Sequence, residues 1–271
     1  MRGMGSPEST TASGSALHNA TPDVPVAVGP RWKPALWILG LSLVGWGLLA
    51  WMALDMGHPV AQLTMPGSSS WTAAHVFAIL AMWAVMMAAM MLPSALPTVL
   101  TFARLCERAG ERPRLWSFVL AYLLVWLGFS IAATAAQWVF QNANLVNLMV
   151  VSTSAWLSGS LLVIAGVYQF SPLKRICLGH CRTPIGFLIG EWRAGVAGAF
   201  KMGLRHGLFC LACCWALMAL LFVGGVMNLP WIAALSIAVA IEKLAPHGQK
   251  VALTIGVGLI AAGAIRLLSF T

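Results

Sequence analysis

Charged residues are scarce in this chain. Asp, Glu, Lys and Arg together make up 8% of its 271 residues, while 60% are hydrophobic and the mean hydropathy is +0.85. A soluble domain carries about 25% charged residues, so this composition cannot build a shell that faces water. The composition therefore excludes an ordinary soluble protein and indicates that lipid solvates most of the chain.

Cysteine is also sparse, and several functional motifs are missing. Six cysteines in 271 residues are too few for a disulfide scaffold. The sequence has no Gly-rich loop that could cradle a phosphate, which argues against an ATP-driven pump. No CxxC pair stands at a predicted helix start, which argues against a thiol oxidoreductase. No catalytic residues are predicted, and this favours a binding or transport protein over an enzyme.

Residues 1–33 differ in composition from everything that follows. They are rich in Ser, Thr, Gly, Pro and Ala and show no apolar periodicity, which is typical of a disordered tail. No apolar run precedes Ala35, so no cleavable signal peptide is expected. We predict a disordered cytoplasmic tail over 1–33 and a single polytopic transmembrane domain over 34–271.

Long apolar segments predict the fold class. A transmembrane helix needs about 20 apolar residues, and seven segments approach that length. The sequence therefore predicts an all-α membrane protein, a bundle of about seven transmembrane helices over 35–54, 71–92, 115–137, 155–170, 204–224, 229–243 and 250–268. Two of these segments, 155–170 and 229–243, are short, and whether they cross the membrane fully stays open.

The distribution of basic residues predicts the orientation. With the N-terminus in the cytoplasm, the inner segments are 1–34, 93–114, 171–203 and 244–249. These segments and the adjoining helix ends hold all the Lys and Arg residues except Arg266, whereas the outer loops 55–70, 138–154 and 225–228 hold none. The positive-inside rule accounts for this asymmetry, so the net charge of +9 does not call for nucleic acid as a partner.

Cysteines and one histidine fall into two groups near the predicted cytoplasmic face. Cys177, His180 and Cys181 follow the fourth predicted span. Cys210, Cys213 and Cys214 lie on the fifth span with the spacing i, i+3, i+4, which places them on neighbouring faces of one helix. A reducing compartment keeps such thiols free and favours metal or redox chemistry. Three small cysteines that merely pack a helix interface are the alternative.

Methionines form two ridges on the second predicted span. Met82, Met86 and Met90 follow one another at i, i+4, and Met87 with Met91 forms the adjacent ridge. Thioether and thiolate ligands favour soft ions, above all copper(I), with zinc possible where thiolates and imidazole combine. The predicted metal ligands are Cys177, His180, Cys181, Cys210, Cys213, Cys214, Met86 and Met90. Adaptable core packing is the alternative for the methionines.

Two further polar groups are candidates for function. Asp55, His58 and His75 lie at the predicted outer face, where they could share a ligand or serve as ordinary interfacial residues. Glu242, beside Lys243 at the end of the sixth span, is either a helix-end carboxylate paired with a base or a functional acid at membrane depth.

Several strings resemble the signature of a bacterial family described as predicted metal-binding integral membrane proteins, a domain of unknown function. The resemblance covers about residues 71–245 and is carried by MWAVMMAAMMLP (82–93), PLK (172–174), CRTP (181–184), GLFCLACCW (207–215) and GVMNL (225–229). It implies a metal-binding multi-pass protein of the bacterial inner (plasma) membrane.

Three functions compete on these observations. The first hypothesis is a copper(I) protein that transports the ion or exchanges it with a metal-donor or metal-acceptor protein. The second is a membrane thiol oxidoreductase that uses Cys210 or Cys213 with a cysteine of the segment after the fourth span. The third is a non-catalytic assembly or scaffold subunit whose sulfur atoms only pack. In each case the lipid bilayer is the main partner.

Overall fold

The computed structural model describes residues 32–66, 71–108 and 112–269, and these ranges fold into helices joined by short connections. Their only β-type pairing is an isolated bridge between Val146 and Ser152. The helices in chain order are α1 Lys33–Leu54, α2 Pro59–Leu63, α3 Ala73–Arg108, α4 Arg112–Asn142, α5 Ala155–Tyr168, α6 Pro172–Arg182, α7 Pro184–Gly190, α8 Gly195–Ala219, α9 Leu221–Gly224, α10 Leu229–Leu244 and α11 Gly248–Leu268.

Five of these segments are long and apolar enough to cross a membrane, and they coincide with five of the seven predicted spans. The fourth predicted span corresponds to α5, which is bent by 66° against α6 and forms one further span if the two count together. The sixth corresponds to α10, whose 16 residues are short for a crossing. The all-helical fold class is confirmed, and the count of seven stays a prediction. Residues 1–31 of the predicted tail lie outside the described ranges.

Helix α3 is longer than predicted. The second span was expected to end at Leu92, before Pro93, but the helix runs through Pro93 and Pro97 to Arg108. A proline has no N–H for the carbonyl four residues earlier, which here is that of Ala89. The hydroxyl of Ser42 on α1 donates to this carbonyl at 2.7 Å. A neighbouring helix thus replaces the lost hydrogen bond, as membrane interiors require.

The predicted inner segment 171–203 contains helices rather than a loop. Helix α6 starts at Pro172, and the hydroxyl of Ser171 accepts a hydrogen bond from the Lys174 amide as an N-cap. The short apolar stretch that follows it forms α7. The fifth span also starts earlier than its predicted residue 204, because α8 begins at Gly195.

Glycines bring the main helix pairs close together. A Cβ added at Gly203 of α8 would lie 2.9 Å from the Ala121 Cβ of α4. On α11, Gly256 and Gly263 meet Gly166 and Gly159 of α5 in the same way. Small residues of this kind allow close backbone approach between membrane helices. Gly203 and Gly207, one helical turn apart, therefore form the close contact between α8 and α4.

The helix directions agree with alternating spans. Contacts between Tyr122 and Met91 and between Trp83 and Gln137 make α3 and α4 antiparallel. Hydrogen bonds of Lys243 with Cys210 and of Trp231 with Leu220 likewise make α8 and α10 antiparallel. Because of these directions, the predicted inner ends of α3, α8 and α10 and the start of α4 meet in one region of the fold.

Candidate metal site

The three cysteines of α8 lie near the middle of the segment Gly195–Gly224 and point into the protein core. Cys210, Cys213 and Cys214 are each 1% exposed. The thiols of Cys213 and Cys214 donate to the carbonyl of Cys210, at 3.1 and 3.0 Å. This is the local hydrogen bond that small polar side chains make with the preceding helix turn. Both S–H groups are therefore satisfied without a ligand.

Cys210 has two polar neighbours from other helices. The ammonium of Lys243 on α10 donates to its sulfur at 2.9 Å, and the hydroxyl of Tyr122 on α4 lies 3.1 Å from the same atom. Lys243 is 5% exposed, and its other recorded partner is the hydroxyl of Ser94 at 3.1 Å. A buried ammonium is costly unless an anion or strong acceptors surround it. The sulfur of Cys210 is the partner that can carry negative charge.

Helix α6 brings the second group of cysteines to the first. Its Cys181 thiol is close enough to interact with the thiols of Cys210 and Cys213. Cys177, one turn earlier, is buried and lies within electrostatic range of Cys213. The six cysteines all lie in the described ranges, and no disulfide joins any two of them there. We call Cys181, Cys210, Cys213 and Cys214 the thiol cluster. Cys181 is at least 29 positions away from the other three in the sequence.

A thioether completes the sulfur lining on α3. The Cys214 thiol lies 3.9 Å from the Met91 sulfur. Met86 and Met90, the two predicted methionine ligands, are fully buried in the same core, as is Met87. The Met82, Met86 and Met90 ridge therefore faces the protein interior, and the thioether in contact with Cys214, that of Met91, belongs to the adjacent ridge.

A buried ion pair stands beside the thiol cluster. Glu242 accepts a hydrogen bond from Lys174 of α6 at 2.7 Å and another from the Gln169 amide at 3.0 Å. Both charged residues are almost fully buried. The base that partners Glu242 is therefore Lys174, and Lys243, its sequence neighbour, turns to Cys210 instead. This pair holds α6, and with it Cys181, against α10.

His206 lies one helical turn before Cys210 and was not among the predicted ligands. It is buried, it stacks against the rings of Phe118 and Tyr122, and its Nδ1 has no hydrogen-bond partner within the described residues. A lone buried imidazole nitrogen next to thiols can accept a proton or a metal ion. Its spacing of i, i+4 to Cys210 was the signal available in the sequence.

The thiol cluster is not a closed metal cage. Across the described ranges, no three or more His, Cys, Asp or Glu side chains meet the geometry of a metal site. The sulfur atoms instead hold hydrogen bonds with Lys243 and with the Cys210 carbonyl. A soft ion would have to replace these bonds. Two thiolates with the Met91 thioether would be a ligand set of the kind that copper(I) prefers.

One family comparison bears on this chemistry. A family model, PpoB2, described as "Copper chaperone", matches residues 80–266. The match covers more than half of the chain. The chain belongs to the PpoB2 copper chaperone family. No curated protein and no solved structure matches it.

Every predicted ligand from Met86 to Cys214 falls within the PpoB2 match. The predicted ligand His180 is engaged elsewhere, since its ring stacks on Phe209 with centroids 4.3 Å apart and its Nδ1 lies 2.9 Å from the carbonyl of Ile176. The thiols of Cys181, Cys210, Cys213 and Cys214 are the predicted ligands that the fold brings together.

The polar residues of the predicted outer face lie outside the PpoB2 match. His58 accepts a hydrogen bond from the amide of Val60 at the start of α2, and His75 accepts one from the amide of Thr72 at the start of α3. Both imidazoles thus cap local turns, which agrees with interfacial residues rather than with a second ligand group.

Proposed function

We propose that this PpoB2 family member is an integral membrane copper chaperone of the bacterial inner membrane. In this proposal it holds copper(I) on sulfur within the helix bundle and exchanges the ion with a metal-donor or metal-acceptor protein. The observation that carries the proposal is the convergence of Cys181 from α6 with Cys210 and Cys213 from α8. Thiolate and thioether ligands favour soft ions, copper(I) among them.

Charge balance supports a thiolate-bound monovalent ion in this place. Two thiolates with one copper(I) carry a net charge of −1, which is costly in a buried site without compensation. Lys243 supplies one positive charge 2.9 Å from the Cys210 sulfur. Glu242 does not cancel it, because Lys174 already pairs with that carboxylate. Lys243 therefore supplies the one positive charge that would balance the net charge of −1 on the proposed copper(I) dithiolate.

The hydrogen bonds of the metal-free state suit a chaperone, which must release its ion. Lys243 and the Cys210 carbonyl occupy the sulfur atoms when no ion is bound. On binding, copper(I) would replace the thiol protons, which leave the site, while Lys243 stays beside the sulfur as the counter-charge, and the protons return when the ion leaves. Exchange between two satisfied states avoids leaving buried polar groups without partners.

Copper content of the purified full chain tests the proposal. We expect the protein in detergent, supplied with copper(I) under reducing conditions, to retain about one equivalent, and the Cys181→Ser, Cys210→Ser double variant to lose most of it. Cys106→Ser is the matched control, since Cys106 lies on α3 about 22 Å along the helix from Met91. Metal is measured by inductively coupled plasma mass spectrometry after desalting.

Two outcomes would overturn the proposal. One is a wild-type protein that takes up no copper, or a double variant that retains it fully. The other is a copper-free protein whose Cys210 and Cys213 cycle through a disulfide with a redox partner. These two residues do have CxxC spacing, although at mid-helix, and such cycling would favour the oxidoreductase hypothesis.

A further inference from the structure

A cleft lined by basic side chains lies between α6 and α11, on a different face of α6 from the thiols. It consists of two adjoining cavities of about 370 and 230 Å³ that share Arg175, Leu178 and Gln249. By the positive-inside distribution, this end of the bundle is the cytoplasmic end. The copper proposal makes no use of this cleft.

The charged side chains that line the cleft are all basic. Arg175, Arg182 and Lys250 line it, together with Lys174, whose charge is paired with Glu242, and no Asp or Glu is among its lining residues in the described part of the chain. Arg182 is fixed across the cleft, because its Nη2 donates to the carbonyls of Ala245 and Pro246 at 2.7 and 2.6 Å. Three cations in a partly enclosed space attract an anion, and Arg and Lys donate charge-assisted hydrogen bonds to phosphate oxygens.

The smaller cavity also has an apolar side. Phe170 and Leu253 line it, and they are 43% and 38% exposed at the outer surface of the bundle. Most of the apolar surface of α11 is likewise unburied, since only 17% of its most hydrophobic stretch lies inside the protein. Apolar surface that continues from a cationic cleft suits a lipid better than a free phosphate ion.

We propose that this cleft binds the headgroup of an anionic glycerophospholipid, recognised through its phosphodiester and its net negative charge. Arg175 and Lys250 contact the phosphodiester. An acyl chain lies along Phe170 and Leu253. Basic pockets between transmembrane helices on the cytoplasmic side bind anionic lipid headgroups in this way.

Native mass spectrometry of the full chain in detergent, titrated with defined lipids, tests this site. We expect phosphatidylglycerol to bind about tenfold more tightly than phosphatidylcholine, as one or two charge-assisted hydrogen bonds would give. The Arg175→Gln, Lys250→Gln double variant should lose that preference. Both side chains are exposed, so the variant should remain folded. The matched control is Arg104→Gln, Lys201→Gln, which removes one Arg and one Lys elsewhere.

Three outcomes would overturn the proposal. They are equal binding of phosphatidylglycerol and phosphatidylcholine, an equal loss in the Arg104→Gln, Lys201→Gln control, and displacement of the lipid by millimolar inorganic phosphate. The last would identify a free phosphate site instead. None of these results bears on copper binding by the thiol cluster, so the two proposals fail separately.

Discussion

At the scale of single residues, the buried charges around the thiol cluster divide into two roles. Lys174 and Glu242 neutralise each other at 2.7 Å with almost no exposure to solvent. Lys243, the neighbour of Glu242 in the chain, has no carboxylate among its recorded hydrogen-bond partners and donates to the Cys210 sulfur and the Ser94 hydroxyl. One pair therefore positions α6, while the remaining cation faces the sulfur atoms.

Removal of one member of the buried pair should destabilise the protein strongly. Lys174→Met leaves the Glu242 carboxylate buried with only the Gln169 amide as a recorded partner, and loss of one partner of a buried pair costs about 3–5 kcal/mol. The free energy of unfolding, measured by denaturant titration in mixed micelles, checks this value.

Two matched variants make that measurement specific. The double variant Lys174→Met, Glu242→Leu should recover most of the lost stability, because no uncompensated charge remains. Arg205→Gln breaks the pair between the exposed Arg205 and the partly buried Glu191 and should cost at most about 1 kcal/mol. If Lys174→Met were as mild as Arg205→Gln, the buried pair would not hold α6 in place.

At the scale of helices, apolar length and local turn chemistry account for what the sequence predicts well. The first and last spans match α1 and α11 to within two residues, because each is an apolar run with polar ends. Pro230, in the first turn of α10, and Pro246, beyond its last residue, mark where that helix starts and stops. These signals are local and can be seen in one stretch of sequence.

The errors at this scale arise where another helix overrides a local signal. Pro93 does not end α3, because Ser42 from α1 satisfies the carbonyl that the proline frees. The residues of α6 were predicted only as part of the inner segment 171–203, between spans, and not as a helix. The pair Ser171 and Pro172, an N-cap followed by a proline in the first turn, was the helix-start signal that this interpretation missed.

The α4–α8 contact should tolerate no side chain at Gly203. In Gly203→Ala the new Cβ would meet the Phe118 backbone carbonyl and the Ala121 side chain of α4, and a forced overlap of this kind costs about 1–3 kcal/mol. The free energy of unfolding of the variant in detergent measures the cost.

Gly128→Ala on α4 is the control, since no atom lies within 4 Å of a Cβ built there. It should leave stability unchanged or raise it by up to about 1 kcal/mol through helix propensity. Equal stability of the two variants would show that α4 and α8 do not approach as closely as described.

At the scale of the whole molecule, the candidate site is assembled from parts that no local pattern connects. Residue types and helical spacing predict Cys210, Cys213 and Cys214 as neighbours. The approach of Cys181 and Met91 depends on how α6 and α3 pack against α8, which the sequence does not encode in any short stretch. Lys243 as the partner of Cys210, rather than of Glu242 beside it, is likewise a result of tertiary packing.

X-ray absorption at the copper K-edge of the loaded full-length protein tests the central claim most directly. The account predicts an edge characteristic of copper(I) and a first shell made of sulfur, with that shell weakened when Cys181 and Cys210 are both changed to Ser and kept in Cys106→Ser. A copper(II) edge, or a first shell made of nitrogen and oxygen in the wild type, would contradict it.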